Sequence, residues 1–341
     1  MKKDMVSVII PAYNAMLTIE KCIVSVLEQT YRPIEVIVVN DGSKDNTLDI
    51  LLELSKNRSE LKVINQENCG VSETRNRAIA ESCGKYICFL DSDDTYAPDY
   101  IEKCMDKLSS YGSQLCITAF NTVKNNKNVA LMDYISKDKE HITIDEYLNI
   151  MLNFHDQAYW GANWNKMYLA SVIKENSIRF QKGITIGEDL YFNLQYLMYV
   201  NCVDVIHEPC QNYQIDTTGS LSKLKRNPME YWNQYVALYD TYLNLCQTKN
   251  VPDIERLDKF VCRMMFDTAY MAVACSKMSF RSFKQLCRDT FALFLENKKI
   301  KTERAAFIWR IHGKFIQQRQ YLLAFVFIHA EKIRRTLRKR F

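Results

Sequence analysis

The chain has 341 residues, 48% hydrophobic and 25% charged, with a formal net charge of +5. That length can bury a full core and form two domains, and the composition excludes collagen-like, low-complexity and disordered classes. No apolar run reaches the ~18 residues that span a bilayer, and twelve scattered cysteines without a Cys-x-x-Cys pair or secretory signal point to reduced thiols in the cytosol.

The apolar run 5–10 before Pro11 is too short for the core of a signal peptide and reads as a first strand, 6–10. Residues 17–29 follow as a helix, with Ile19, Ile23, Val26 and Leu27 on one face. Residues 34–39 form the second strand, ending at Asn40-Asp41-Gly42-Ser43; Asp45 or Asn46 can cap the next helix, with Leu48, Leu51, Leu52 and Leu54. A third strand (61–64), a short helix (71–80) and a fourth strand (85–90) come next, then a helix reaching residue 109 and a fifth strand (114–120). This alternation marks βαβ units and a parallel sheet. Residues 124–139 are polar and read as a surface loop. Beyond residue 144 the spacing predicts helices over 144–152 and 190–199 and short strands over 203–207 and 211–215. From Asn227 it is helical throughout, over 231–246, 257–276, 283–296 and 319–338. The expected division is an α/β domain, 1–225, and a helical domain, 226–341, that associates with a membrane or oligomerises.

The chemistry gathers at strand ends. Asp91-Ser92-Asp93-Asp94 follows the fourth strand, and three such carboxylates ionise together only beside something positive. A divalent cation bridging to a phosphorylated ligand supplies that, and ligands of open α/β sheets collect at the carboxyl ends of strands. A solvated Asp-rich turn capping the next helix is the plain alternative. Pro11-Ala12-Tyr13-Asn14 ends strand one, so Tyr13, Asp41, Asp91 and Asp93 can converge on one edge. A tyrosine ring offers a base a stacking surface, and a carboxylate can accept from a ring N–H. Asn68-Cys69-Gly70 opens a helix that carries Arg75 one turn in, within reach of a phosphate or a base carbonyl.

Val8-Ile9-Ile10-Pro11-Ala12-Tyr13-Asn14, Val39-Asn40-Asp41-Gly42-Ser43, Asn68-Cys69-Gly70, Thr74-Arg75-Asn76 and Asp91-Ser92-Asp93-Asp94 together resemble, in order and spacing, the family 2 inverting glycosyltransferases with their GT-A fold. The likeness covers roughly the first 220 residues. Trp164-Asn165-Lys166-Met167-Tyr168, Ile178-Arg179-Phe180 and Gly187-Glu188-Asp189 look like the acceptor-side elements of bacterial capsule, exopolysaccharide and teichoic-acid members. The fold implied is a Rossmann-like, mostly parallel sheet flanked by helices, followed by an all-helical C-terminal domain. The activity implied is transfer of a sugar from a UDP-sugar to a hydroxyl of a glycan or lipid-linked acceptor.

Position by position, the resemblance implies that Pro11, Tyr13 and Asp41 hold uracil, with Asn68 beside them and Arg75 near the base and diphosphate. Asp91 would sit against the ribose, Asp93 would ligate Mn²⁺ or Mg²⁺, and Asp94 would meet donor-sugar hydroxyls. Asp189 matches the catalytic base, with Glu188 the alternative. Both carboxylates would otherwise read as a helix N-terminal pair favoured by the dipole. Trp160, Asn163 and Lys166 can line the sugar pocket, although large aromatics more often lie in the core. His207 can add a metal ligand or be a hydrogen-bonded structural residue. Gln214 stands where many relatives carry an arginine after the tyrosine; Lys223 or Lys225 can replace that cation. A sugar nucleotidyltransferase shares the architecture, but normally carries a glycine-rich loop where Pro11-Ala12-Tyr13-Asn14 stands. A degenerate, non-catalytic nucleotide-sugar-binding protein is the remaining alternative.

Residues 321–328 are apolar nearly all round, and Lys332, Arg334, Arg335, Arg338, Lys339 and Arg340 crowd the end. The segment reads either as a last core helix with a solvated end or as an interfacial helix at the cytoplasmic face of an anionic membrane. Nucleic acid ranks below both, because the basic patch is short and lacks interleaved aromatics.

Overall fold

The computed structural model describes residues 3–125, 127–154, 158–184, 187–215, 227–251 and 257–338. The chain forms two compact units, Met1–Gly219 and Ser220–Phe341.

In the first unit the alternating pattern folds as β1 (Val6–Ala12), α1 (Ile19–Leu27), β2 (Ile34–Asp41), α2 (Thr47–Ser55), β3 (Leu61–Gln66), α3 (Val71–Glu81) and β4 (Tyr86–Phe89). There follow β5 (Thr95–Tyr96), α4 (Tyr100–Tyr111), β6 (Leu115–Lys124), β7 (Lys127–Met132), β8 (His141–Thr143), α5 (Ile144–Phe154), α6 (Ala158–Gly161) and β9 (Lys166–Leu169). The unit closes with α7 (Ala170–Glu175), α8 (Glu188–Leu197) and β10 (Cys202–Gln214). One sheet runs β3-β2-β1-β4-β9-β6-β10-β5, with β7 beside β6 and β8 beside β10. The β3-β2-β1-β4 half is parallel throughout, as its apolar strands demand. Its buried face meets α1, α2 and α4 through Val8, Ile10, Ile23, Val26, Leu51 and Leu108.

Two sequence expectations are corrected and one strand is added. Residues 124–139 are not wholly loop: β7 pairs antiparallel with β6. It is an exposed strand whose apolar residues 129–132, Val129 and Leu131 among them, run consecutively and show none of the apolar–polar alternation that signals a half-buried strand. The strands expected at 203–207 and 211–215 are one strand, β10, irregular between Ile206 and Pro209 and again between Pro209 and Asn212. Proline cannot donate to a ladder and sits at such breaks. β9 is short and starts on a lysine, so it leaves no apolar run to read, yet it is the antiparallel bridge between β4 and β6.

The second unit is helical: α9 (Pro228–Thr248), α10 (Leu257–Tyr270), α11 (Phe280–Leu286), α12 (Leu293–Asn297), α13 (Phe307–Gln317) and α14 (Tyr321–Arg338). The 257–276 helix passes into a π turn at Met271–Cys275, and another, Cys287–Ala292, links α11 to α12. Apolar spacing does not distinguish such turns from an α-helix. Asn227 caps α9 by accepting from the Met229 amide, with Pro228 at the first helical position. Among the described residues no helix is long and apolar enough to cross a membrane.

Candidate active site

β1, β2 and β4 lie side by side and parallel, so the loops after them open on one edge of the sheet. The first two loops are tied together. The Asn14 amide donates to Ser43 Oγ at 3.0 Å, and the Lys44 amide donates to Asn14 Oδ1 at 2.8 Å. Asn14 takes φ 51° to make this turn, and Tyr13 is left 49% exposed, its ring open to a ligand.

Asp41 ends β2 with its carboxylate turned onto the loop before α3. Oδ1 accepts from the Cys69 amide at 2.9 Å and from Gln66 Nε2 at 2.8 Å, and Oδ2 from the Gly70 amide at 2.9 Å. Burial alone would raise its pKa; these hydrogen bonds outweigh it and hold the group below its ordinary value. Asn68 Nδ2 donates to the Asp41 carbonyl at 2.9 Å. Gly42 makes this close approach feasible: it has φ +71°, and a Cβ there would stand 2.8 Å from the Asn68 nitrogen.

Arg75, in the second turn of α3, does not reach into solvent; its side chain is 3% exposed. Nη2 donates to Asp91 Oδ1 at 2.8 Å, Nη1 donates to Asp189 Oδ1 at 2.7 Å, and Glu188 Oε1 lies 3.8 Å away. The guanidinium lies 5.2 Å from the centroid of the Phe180 ring. Phe180 is fixed in turn by Asn76, whose side chain accepts from the Phe180 amide at 2.9 Å and donates to its carbonyl at 2.8 Å. One cation thus joins the end of β4 to the first turn of α8, residues 98 positions apart in sequence.

Asp189 and Glu188 open α8 after Gly187, which takes φ 68°, where the helix dipole favours carboxylates. Asn163 Nδ2 also donates to Asp189 Oδ1, at 3.1 Å. Burial raises the Asp189 pKa; Arg75 opposes this and Glu188 adds to it, leaving the group well above the ordinary carboxylate range.

The expected sugar-pocket residues take other places. Trp160 is fully buried between Tyr147 and Tyr159, with edge-on ring contacts at 5.3 and 4.9 Å. Lys166 is buried and donates to the carbonyls of Tyr159 and Ala162 at 3.0 and 2.5 Å and to Asn165 Oδ1 at 2.8 Å. Burial lowers its pKa to about 7. Asn163 is buried against Asp189. Asn163 therefore supports the carboxylate, and the Lys166 ammonium is committed to backbone carbonyls and Asn165. Asp94 is likewise fully buried, accepting from the Gln214 amide at 2.8 Å and from Gln211 Nε2 at 3.5 Å. Burial first, then Asp93 and Asp91, push its pKa well up. Its carboxyl anchors β10 and does not meet an open sugar site. His207 is committed as well: Nδ1 lies 3.0 Å from Asp133 and Nε2 3.0 Å from the Lys139 carbonyl, so neither ring nitrogen is left for a metal. Lys223 and Lys225 lie outside the described residues.

Three residues join the site that sequence reasoning did not single out. Asn76 and Phe180 were legible only as motif neighbours. Tyr213 stacks on Trp164 (centroids 5.0 Å apart, planes at 13°). Its pKa is raised to about 12 by burial and then by Asp94, Asp91, Asp93 and Asp189, so its hydroxyl lies in the field of all four. Among the described residues no group of three or more His, Cys, Asp or Glu side chains is arranged to hold a metal on its own. What the edge offers a cation is hard carboxylate oxygen in a concentrated negative field, which also helps push up the buried Cys22 thiol. That donor chemistry suits Mn²⁺ or Mg²⁺ completed by ligand oxygens.

Residues 7–175 match the family model Glycosyl transferase family 2. The glycosyltransferase GlyA of Streptococcus pneumoniae is 31% identical over 226 residues, 65% of this chain and 32% of that protein. The chondroitin synthase of Escherichia coli is 40% identical over 117 residues, 34% of this chain and 17% of that protein. The matches thus span about a third of the first relative and under a fifth of the second. Crystal structures of S. aureus TarS in complex with UDP-GlcNAc and with UDP superpose with TM-scores of 0.74 and 0.73 at 19% identity, covering 96% of this chain and 91% of theirs. The fold is GT-A-like, a mostly parallel sheet with flanking helices followed by a helical region.

Proposed function

We propose that this chain, a member of glycosyl transferase family 2 through residues 7–175, transfers a sugar from a UDP-sugar, with inversion, to a hydroxyl of a glycan or lipid-linked acceptor in bacterial surface-polysaccharide synthesis. The observation that carries this reading is the Arg75 fork, which draws Asp91 and Asp189 into one cluster. The chondroitin synthase relative and the UDP-GlcNAc complex of TarS support a nucleotide-sugar donor and a glycan product. Peripheral contact with an anionic membrane, at the cytoplasmic face, belongs to the same reading.

The residues divide the work. The exposed Tyr13 ring would stack on uracil beside Pro11, and Asp41, held ionised by backbone amides, would set the edge that reads its N–H. Asp91 would orient the ribose. Asp93 would hold Mn²⁺ or Mg²⁺, which when bound supplies Lewis-acid stabilisation of the leaving diphosphate. Asp189 accepts the proton of the attacking hydroxyl, and attack opposite the leaving group in a single displacement inverts the anomeric centre. Only the ionised carboxylate can do this, so turnover rises as pH passes upward through the raised pKa of Asp189.

A UDP-release screen with purified protein, Mn²⁺ and a panel of UDP-sugars tests the activity, including slow hydrolysis without acceptor. One sugar should release UDP in a Mn²⁺-dependent way, and Asp93→Asn should remove the Mn²⁺-dependent part of UDP affinity. Silence across the panel favours the non-catalytic alternative, and unchanged Mn²⁺ dependence takes Asp93 out of the metal role.

A further inference from the structure

Charge is divided very unevenly along the chain. Residues 220–341 hold 24 lysines and arginines against 10 acidic residues, a net of +14, whereas residues 1–219 hold 21 against 30, a net of −9. The overall +5 conceals a strongly basic second unit, and such asymmetry points to an anionic partner.

Within that unit α14 has two apolar faces. Tyr321, Ala324, Ile328 and Glu331 are buried, and Glu331 is gripped by Arg334 and Arg335 at 2.6 and 3.0 Å. On the other side Leu322 (57% exposed), Val326 (55%) and Ile333 (61%) are spaced by four and seven residues, which aligns them along one helical line, with Leu323 (48%) beside them. Arg334 and Lys332 flank the line in sequence, and further basic residues follow it. At the start of α14 the patch continues onto α11, where Phe280 packs against Phe325 with centroids 5.4 Å apart. There Phe280, Leu322 and Leu323 line a hollow of ≈ 360 Å³ together with Lys284 and Arg319; Arg319 also pairs with Glu296 at 3.0 Å.

We propose that this outward face of α14, with the adjoining end of α11, is a docking surface for an anionic lipid bilayer. The apolar line sinks to the acyl boundary and the basic residues meet the headgroups. A soluble polyanion would satisfy the charge but leave Leu322, Leu323, Val326 and Ile333 in water. A second copy would cover the apolar line only by bringing two units of +14 together, which like-charge repulsion opposes. Helix α14 thus serves as core helix and interfacial helix at once, on opposite faces.

The test is sedimentation of the full-length protein with vesicles of phosphatidylcholine alone or mixed with phosphatidylglycerol. The wild type should bind the mixed vesicles, lose binding as salt is raised, and bind the neutral ones weakly. The Leu322→Asp/Val326→Asp/Ile333→Asp variant should bind mixed vesicles about tenfold or more weakly, with unchanged melting and donor hydrolysis. Leu323→Ser/Val326→Ser, a milder change at exposed positions, should give a smaller loss in the same direction. No binding by the wild type, equal binding by the triple variant, or equal binding to neutral vesicles would overturn the proposal. So would a wild-type oligomer, seen by light scattering, that the triple variant dissolves. The proposal rests on, and locates, the membrane contact in the proposed function; vesicle binding is measured without turnover, so its failure removes that contact and leaves the sugar-transfer reading standing.

Discussion

Asp189→Asn is expected to lower kcat by about 10²–10⁴-fold, the range that a positioned general base contributes, while UDP affinity stays nearly intact. The substitution keeps the shape of the side chain, and the amide oxygen can still accept from Arg75 and Asn163. The cluster should therefore hold together and the melting temperature change little. What is lost is the capacity to take a proton from the acceptor hydroxyl. Steady-state kinetics with UDP titration separates the two effects. A variant with wild-type kcat would move the base to Glu188, which shares the first turn of α8 and approaches Arg75 at 3.8 Å. A parallel loss of UDP affinity would make Asp189 a donor-binding residue instead.

Arg75→Met should be costly in a different way. The substitution removes the only charge of a guanidinium that is 3% exposed and leaves Asp91, Asp189 and Glu188 facing one another. Breaking a buried pair from one side costs about 3–5 kcal/mol, so a large fall in melting temperature is expected. The sign with pH follows from Asp189, whose pKa is already raised by burial and lowered by Arg75. Without Arg75 it rises further. An acid whose folded pKa lies above its unfolded value favours the fold at low pH and loses that contribution as pH climbs through the folded value. The stability deficit should therefore be small in acid and grow with pH, and the acidic limb of the kcat profile should move to higher pH. Arg75→Lys keeps the charge but not the fork, so it should recover much of the pH limb and less of the stability. A profile identical to wild type in Arg75→Met would mean that Arg75 does not govern the base.

The alternating half of the fold was legible because β1, β2 and β4 are buried along nearly their whole length and its helices carry apolar lines; β1, β2, β3 and β4 begin and end within a few residues of where the spacing puts them. The exposed β7 and the four-residue β9 were not, since neither has the periodicity that marks a strand. The strand-end residues were legible for the same reason: Asp41 and Asp91 follow runs that fix the sheet edge. The roles of buried polar residues were not. Nothing local says that Lys166 turns inward to hold the carbonyls of Tyr159 and Ala162, or that Asp94 binds the Gln214 amide 120 positions away. Asn193 shows the limit well. It lies one turn beyond Asp189, donates to the carbonyls of Gly161 and Ala162 at 2.7 and 3.0 Å, and accepts from Tyr168 at 2.6 Å. The sequence shows only an asparagine at helical spacing. The Asn76–Phe180 pair carries the same lesson, since two motifs 104 positions apart prove to be one reciprocal hydrogen-bonded contact.

The claim at the centre is that carboxylates from the end of β4 and the start of α8 serve a single donor sugar. A crystal structure of the protein with Mn²⁺ and the UDP-sugar chosen by the screen tests it most directly. It should show uracil on Tyr13, the diphosphate beside Asp93, and the anomeric carbon presenting its free face towards Asp189. Nucleotide bound away from the Arg75–Asp189 cluster, or Asp189 on the leaving-group side of the sugar, would contradict the account.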